Sequence, residues 1–215
     1  MVMSPAAPTG NRNERRRAAT RQALVRAARQ ILTEGDEAGV SIQVIAERAD
    51  VGFGSFYNHF SSKAELFAVT VIEAMEEFGQ AFDEGLAGVR DPAELVSGGF
   101  RLAARMASTH PEVMQVVRRR ALGFIHDEHG FAPRALRDVE LGIAEGRFTP
   151  VDPLAALSVM AGSLLALIEL RFARPDMDGD AVAVATAEMV LRMLGLSHED
   201  AAEVARRPLP EVDPA

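Results

Sequence analysis

Between Val51 and Leu66 the chain reads VGFGSFYNHFSSKAEL. Positions 51–60 hold four aromatic residues, two glycines and a histidine. The segment also contains the only tyrosine, Tyr57, and the only lysine, Lys63, among all 215 residues. These side chains suit a flat, charged partner. Asn58 can bond a base edge at two points, Ser55 is less selective, and Phe53 can meet a thymine methyl. Tyr57 and His59 can donate to phosphate oxygens without reading sequence. Lys63 falls in the first turn of the next helix, where free N–H groups and the positive end of the dipole favour an anion.

The elements around the segment must hold it in place. On a wheel of about 100° per residue, Phe56 and Phe60 face a core and Phe53 and Tyr57 sit at its margin. Gly54, Ser55, Asn58 and His59 then point outward. Gly54 weakens a helix by about 1 kcal/mol against alanine, which makes sense where the backbone must approach another surface closely. Upstream, Ser41 caps a short helix in which Ile42, Ile45, Ala46 and Ala49 share a face. Asp50-Val51-Gly52 is a turn, because Asp and Gly tolerate left-handed backbone. A second short helix runs to about His59. The pair is a helix-turn-helix, whose second helix can enter the major groove.

Ahead of it the spacing predicts a helix over 12–34. Leu24, Ala27, Ala28, Ile31 and Leu32 recur on one stripe. After it, Ser62 to Glu65 reads as a capping box with Ser62 at the N-cap. The helix it opens carries Leu66, Thr70, Ala74 and Phe78 and ends near Gly85–Gly88. Three further starts pair an N-cap with proline at the first helical position: Asp91-Pro92, His110-Pro111 and Asp152-Pro153. Asp178 or Asp180 opens a last helix that ends at Gly195. No window alternates as a strand would. The fold class is all-α with about nine helices: a three-helix head at 12–66 and a helical body at 67–205. Residues 1–11 are expected to form a disordered arm and 206–215 a flexible tail.

Charge divides the chain in the same way. Residues 1–30 carry seven arginines against one acid, whereas 66–215 carry a balance of −10 within a total of −8. A basic head on an acidic body suits a chain whose head alone meets a polyanion. Zero cysteines exclude disulfides, cysteine-ligated zinc and thiol catalysis. The start, MVMSPAAPTGNRNERRR, has no apolar run before its charges and is not a secretory signal. Asp152 and Glu169 bracket the longest apolar stretch more tightly than a bilayer span of about 20 residues allows. The expected location is cytoplasmic.

Residues 41–67, SIQVIAERADVGFGSFYNHFSSKAELF, resemble the DNA-binding domain of the TetR family of bacterial transcription regulators. Ile45-Ala46, Val51, Gly54, Phe56-Tyr57, His59-Phe60, Ser62-Lys63 and Leu66 carry the likeness. It covers about a quarter of the chain. It implies that Gln43, Phe53, Ser55 and Asn58 face bases and that Tyr57, His59 and Lys63 contact phosphates. Two positions depart from the family pattern: Asp50 stands where glycine is usual, and Gly52 where Ser or Thr caps the helix. A glycine cap offers no side-chain acceptor, so the recognition helix is expected to be soft until DNA orders it.

The resemblance also implies a homodimer through the last two long helices and an effector cavity in each body. Ala161, Gly162 and Ser163 would let helices approach closely. Val182, Ala185, Met189 and Met193 form an apolar stripe, which equally suits an ordinary core. Candidate effector contacts are the large apolar residues of the middle helices: Phe100, Met106, Met114, Phe124, Met160 and Leu164. Glu169, a carboxylate in an apolar helix, must be paired or wet. It either receives a cationic effector or bonds Arg171 or a partner helix, the plainer reading. His126, Asp127, Glu128 and His129 read as a polar loop rather than a metal site. No nucleophile, base and orienting group come together, so neither catalysis nor a cofactor is expected. The reading is a dimeric repressor on a palindromic operator, released by a small molecule. The rival is a helical carrier or enzyme whose short helices only pack.

Overall fold

Ten α-helices make up the computed structural model, which describes residues 12–125 and 130–210, and no strand occurs among them. The chain divides into two compact units, one running to Thr70 and one from Val71. The expected arm, the 126–129 segment and the last five residues lie outside the described residues.

In the first unit, α1 (Arg12–Glu34) buries the whole predicted stripe from Leu24 to Leu32. Ser41 caps α2 (Ile42–Arg48), its hydroxyl accepting from the Val44 N–H at 3.3 Å. The turn after α2 places Asp50 at φ +54°, so aspartate here takes the left-handed backbone that glycine usually supplies. α3 (Phe53–Phe56) is shorter than the helix expected to reach His59. Its Gly52 cap makes no side-chain bond. Beyond Phe56 the backbone tightens, with Asn58 N–H donating to Ser55 and His59 N–H to Phe56. Phe56, Phe60, Leu24, Ile31, Ile45 and Leu66 form one core.

α4 (Lys63–Gly85) opens with the expected capping box in altered form. The Ser62 hydroxyl accepts from the Glu65 N–H at 3.1 Å. The Glu65 carboxylate reaches Ser61 rather than Ser62, accepting from its hydroxyl at 2.5 Å and its N–H at 2.6 Å. These two bonds hold Glu65 below the usual carboxylate range. Lys63 points back instead of outward. Its ammonium donates to the carbonyls of Glu37, Ala38 and Val40 at 3.1, 3.3 and 2.9 Å. All three ammonium protons are therefore committed to the loop between α1 and α2.

The second unit continues α4 and adds α5 (Pro92–Thr109), α6 (Pro111–Arg120), a 3₁₀ turn (Ala121–Phe124), α7 (Phe131–Ala144), α8 (Pro153–Ala173), α9 (Gly179–Met193) and α10 (His198–Arg206). Asp91, Asp152 and Asp178 cap α5, α8 and α9 through their carboxylates, whereas His110 supplies no side-chain bond to α6. α5 is the hub: twelve of its eighteen residues are buried, and α6 to α10 all pack on it or on α8 and α9. Behind α7 the Phe148 ring sits on Gly142, where a Cβ would fall 2.2 Å from the ring, so only glycine fits.

α10 is the helix that the sequence reading leaves in the connection after Gly195; Ser197 caps it by accepting from the Asp200 N–H. Within the expected tail, residues 206–210 make contacts with the body. Arg207 bonds Glu94 and Glu203, and its carbonyl accepts from Arg101. Pro208, Leu209 and Pro210 line a cleft with Ser97 and Val204. Arg147 ties this end of the body together. It reaches Asp91 at 3.0 Å and Asp200 at 2.6 Å, joining the starts of α5 and α10. The pairing raises Arg147 and depresses Asp200. By length and composition α8 could cross a membrane, against the sequence estimate; here it packs on α5 and α7.

Two substitutions test these ties. Lys63→Met is expected to destabilise the head by about 1–2 kcal/mol. With no tryptophan present, Tyr57 fluorescence in urea reads the head alone; an unchanged midpoint overturns the role. Arg147→Ala is expected to lower full-chain stability at pH 7 by about 1–3 kcal/mol. Because Asp200 is depressed, its share is full above the ordinary aspartate range and is lost as pH falls below about 4. Urea unfolding should therefore separate variant and parent at pH 7, and the gap should narrow as pH is lowered below about 4.

Candidate nucleic-acid interface and effector pocket

The burial of Phe56 and Phe60 settles what α3 shows to solvent. Gly54 and Asn58 are exposed, Ser55 and His59 half-exposed. Phe53 and Tyr57, expected at the margin, stand well out at 53% and 54% exposure. They contact each other edge to face at 5.7 Å, and Tyr57 also meets Phe56 at 5.4 Å. A Cβ added to Gly54 would meet nothing within 4 Å. No internal packing therefore asks for glycine there.

The sequence reading assigns no single role to the arginines of α1, yet the structure sets two of them beside α3. Arg16, Arg17 and Thr20 of α1 line an open polar groove with Ser55, Asn58 and His59. Burial, then the charges of Arg17 and Arg21, push His59 below the ordinary histidine range. Arg21 lies over the Phe60 ring at 5.4 Å. The helical period from the buried Leu24 back toward Arg17 is the signal that could have placed them. Gln43 is exposed on α2, where its amide donates to Glu47 at 3.1 Å. Lys63, expected on phosphates, is drawn instead to the three carbonyls already described. Its wanted acceptors lie in a loop remote in sequence, which a helical wheel does not display.

In the second unit a cavity of about 200 Å³ opens among α4, α5, α7 and α8. Phe100, Met160 and Leu164 line it, as three of the expected effector contacts, together with Phe82, Leu86 and Phe131. Phe82 packs on Phe131 at 4.6 Å and on Phe78 at 4.8 Å. One wall is polar, made by Asp83, Arg134, Arg137 and Asp138. Arg134 is well tied there: it reaches Asp83 at 2.7 Å, Glu76 at 2.9 Å and the Gly130 carbonyl at 2.5 Å. Phe124 lines a smaller cavity of about 40 Å³ with Phe78, Leu157 and Leu164.

Three expected effector contacts lie elsewhere. Met106 and Met114 are buried and line neither cavity. Their length and flexibility serve packing here, as thioethers commonly do. Glu169 accepts from Arg118 through both carboxylate oxygens, at 3.0 and 3.1 Å. Its partner is thus Arg118 rather than Arg171, whose guanidinium donates to the Met177 carbonyl and the Ser108 hydroxyl. Among the described residues no group of three acidic, histidine or cysteine side chains is placed to hold a metal. The polar run at 126–129 lies outside them.

α8 and α9 each keep an uncovered apolar face. Leu154 and Val159 on α8, and Met189 and Met193 on α9, are exposed, Met189 at 63%. Ala185 is exposed too and Val182 half-buried, so the stripe read as either interface or core is largely uncovered. A Cβ on Gly162 would meet nothing.

Comparison with known proteins fits both units. Residues 24–70 match the bacterial regulatory proteins of the tetR family, and residues 91–207 match the tetracyclin repressor-like C-terminal domain. RolR, solved with its ligand resorcinol, is 31% identical over 93% of this chain and 99% of its own, with a TM-score of 0.63. RolR without ligand is 30% identical over 89% and 100%, at 0.61. A putative tetR family regulator from Shewanella sp. PV-4 reaches 0.75 at 19% identity over 83% and 99%, a likeness of fold alone. No curated protein matches the sequence. A head whose polar side chains stand on buried phenylalanines, a hollow helical body, and family matches over both units agree: this chain belongs to the TetR family of transcriptional regulators.

Proposed function

We propose that the chain is a dimeric repressor that holds a palindromic operator and releases it when a small molecule fills the body cavity. The observation that carries this is the outward display of Gly54, Ser55 and Asn58 above the buried Phe56 and Phe60. Ser55 and Asn58 meet base edges, Phe53 a thymine methyl, and Gln43 the same groove from α2. Tyr57 and His59 meet phosphates, joined by Arg16 and Arg17 rather than by Lys63. Gly54 lets the backbone close on the duplex. The uncovered faces of α8 and α9 support a second copy docked there, which would set two recognition helices about 34 Å apart. The aromatic cavity and the relative solved with resorcinol support a small ring as effector. Such a ring need favour the DNA-incompetent state by only about 1–3 kcal/mol. The work is then binding rather than catalysis, done in the cytoplasm where the DNA lies.

Fluorescence anisotropy on the DNA flanking the gene tests the contact map. Asn58→Ala is expected to relax base preference by about 1–3 kcal/mol at one position. Gly54→Ala should leave the free fold intact, or firm it by about 1 kcal/mol, yet weaken operator binding. If both variants bind like the parent, α3 does not read the groove.

His59 adds a pH dependence. Burial, then the charges of Arg17 and Arg21, hold it below the ordinary histidine range in the free protein, and a phosphate favours its protonated form. DNA binding then takes up a proton, so operator affinity should rise as pH falls from about 8 to 6. His59→Gln should flatten that slope; an equal slope in the variant removes His59 from the contact.

A further inference from the structure

The wall that the end of α4 gives the cavity has a second side, and a strap lies against it. Residues 207–210 read Arg-Pro-Leu-Pro and leave α10 in extended backbone, with ψ +138° at Arg207. The two prolines fix φ and carry no N–H, so such a strap docks with little left to order or to satisfy. Its root is tied. The Arg207 carbonyl accepts from Arg101, and the Arg207 guanidinium donates to Glu94 and, at 2.8 Å, to Glu203. Leu209 follows, half-buried, and reaches Gly98 of α5. A Cβ on Gly98 would fall 3.4 Å from Leu209 Cδ2 and 2.4 Å from Leu86 Cδ2. The room that a side chain at 98 would fill is thus shared by Leu86 from the end of α4 and Leu209 from the strap. Leu86 and Val89 line both the cavity and the cleft under the strap. That cleft keeps only about 10 Å³, room for about one water, so the strap is closely seated. One turn before Leu86, the Phe82 ring fills the space at Gly99, where a Cβ would lie 2.8 Å from it. Two successive glycines therefore leave α5 with no side chain of its own behind this part of the wall.

We infer that Leu209 is a positioning residue for the ligand of this cavity: seated behind Leu86, the strap 207–210 holds the wall in the shape that the ligand meets. The inference rests on reading the cavity as the effector site. With Leu209 in place, Leu86 stands against the cavity. Without it, Leu86 has the vacated cleft to sink into, and Val89 and the turn between α4 and α5 are free to follow. The seat is balanced rather than locked. Beneath the strap the Ser97 hydroxyl and Arg101 Nε are buried with no partner among the described residues, and water would satisfy both on opening. The partly exposed ionic root at Arg207 opposes opening and weakens with salt. The coupling is reciprocal: the ligand must tighten the strap by the factor by which the strap tightens the ligand.

Amide hydrogen exchange and calorimetric titration of the full chain test this, with resorcinol as the probe. Leu209→Ser removes the apolar plug and touches neither the cavity lining nor the ionic root. It is expected to speed exchange over 86–96 in the ligand-free protein and to leave exchange over α9 unchanged. It should also weaken resorcinol about three- to tenfold, as follows if the seated state falls to between about a third and a tenth of the molecules. Leu209→Met refills the site and should restore both readouts. Saturating resorcinol should slow exchange at residue 209 of the parent. Operator binding without ligand checks that each variant folds. Equal exchange over 86–96 in Leu209→Ser and parent, or an equal resorcinol dissociation constant, overturns the positioning role. Failure of resorcinol to bind the parent overturns the effector reading instead, and the exchange contrast over 86–96, which needs no ligand, still decides whether Leu209 braces the wall.

Discussion

Two phenylalanines decide what this molecule offers to the outside. Phe56 and Phe60 lie four residues apart, and both are almost wholly shielded from water. Removing two aromatic side chains from water outweighs most local preferences of a four-residue helix. With that edge fixed, the single helical turn directs Gly54 and Ser55 outward, and the tighter turn after it sets Asn58 on the same groove as Ser55. The polar face is therefore a by-product of core formation, and it persists although α3 has a poor cap and only one turn.

The rest of the head serves that arrangement. α1 and α2 provide the hydrophobic floor, and α1 also brings arginines alongside the polar face. The loop between α1 and α2 is held by Val40, which is buried in the core, and by Lys63, which gathers its carbonyls. In the second unit α5 plays the corresponding part. Its buried length carries the surrounding helices, and the gap that the aromatic side chains leave beside it is the cavity. Ionic ties close the far end, where Arg147 spans two helix starts.

Much of this was legible in the sequence, because burial period and caps are local properties. The limits of α1, the starts of α2, α5 and α8, and the inward turn of Phe56 and Phe60 all follow from spacing within a few residues. What sequence could not supply depends on meetings between distant segments. Lys63 and the carbonyls it binds are 23 to 26 positions apart. Glu169 finds Arg118 at a separation of 51. Met106 and Met114 looked like pocket walls because their chemistry is the same whether they face a void or a neighbour. α10 was missed because it is short, and what fastens it to the body lies partly at Asp91 and Glu94, far upstream.

The scarcity of lysine has a chemical consequence. Apart from the chain terminus, the molecule carries a single primary amine, and that amine is enclosed by backbone oxygens. Every other permanent cation is a guanidinium, which neither acylates readily nor loses its proton in ordinary buffers. Reagents and enzymes that modify amino groups therefore meet a surface almost blank to them. The one side chain they could alter is a brace of the fold, so acylation there would loosen a loop rather than retune the charge of the surface.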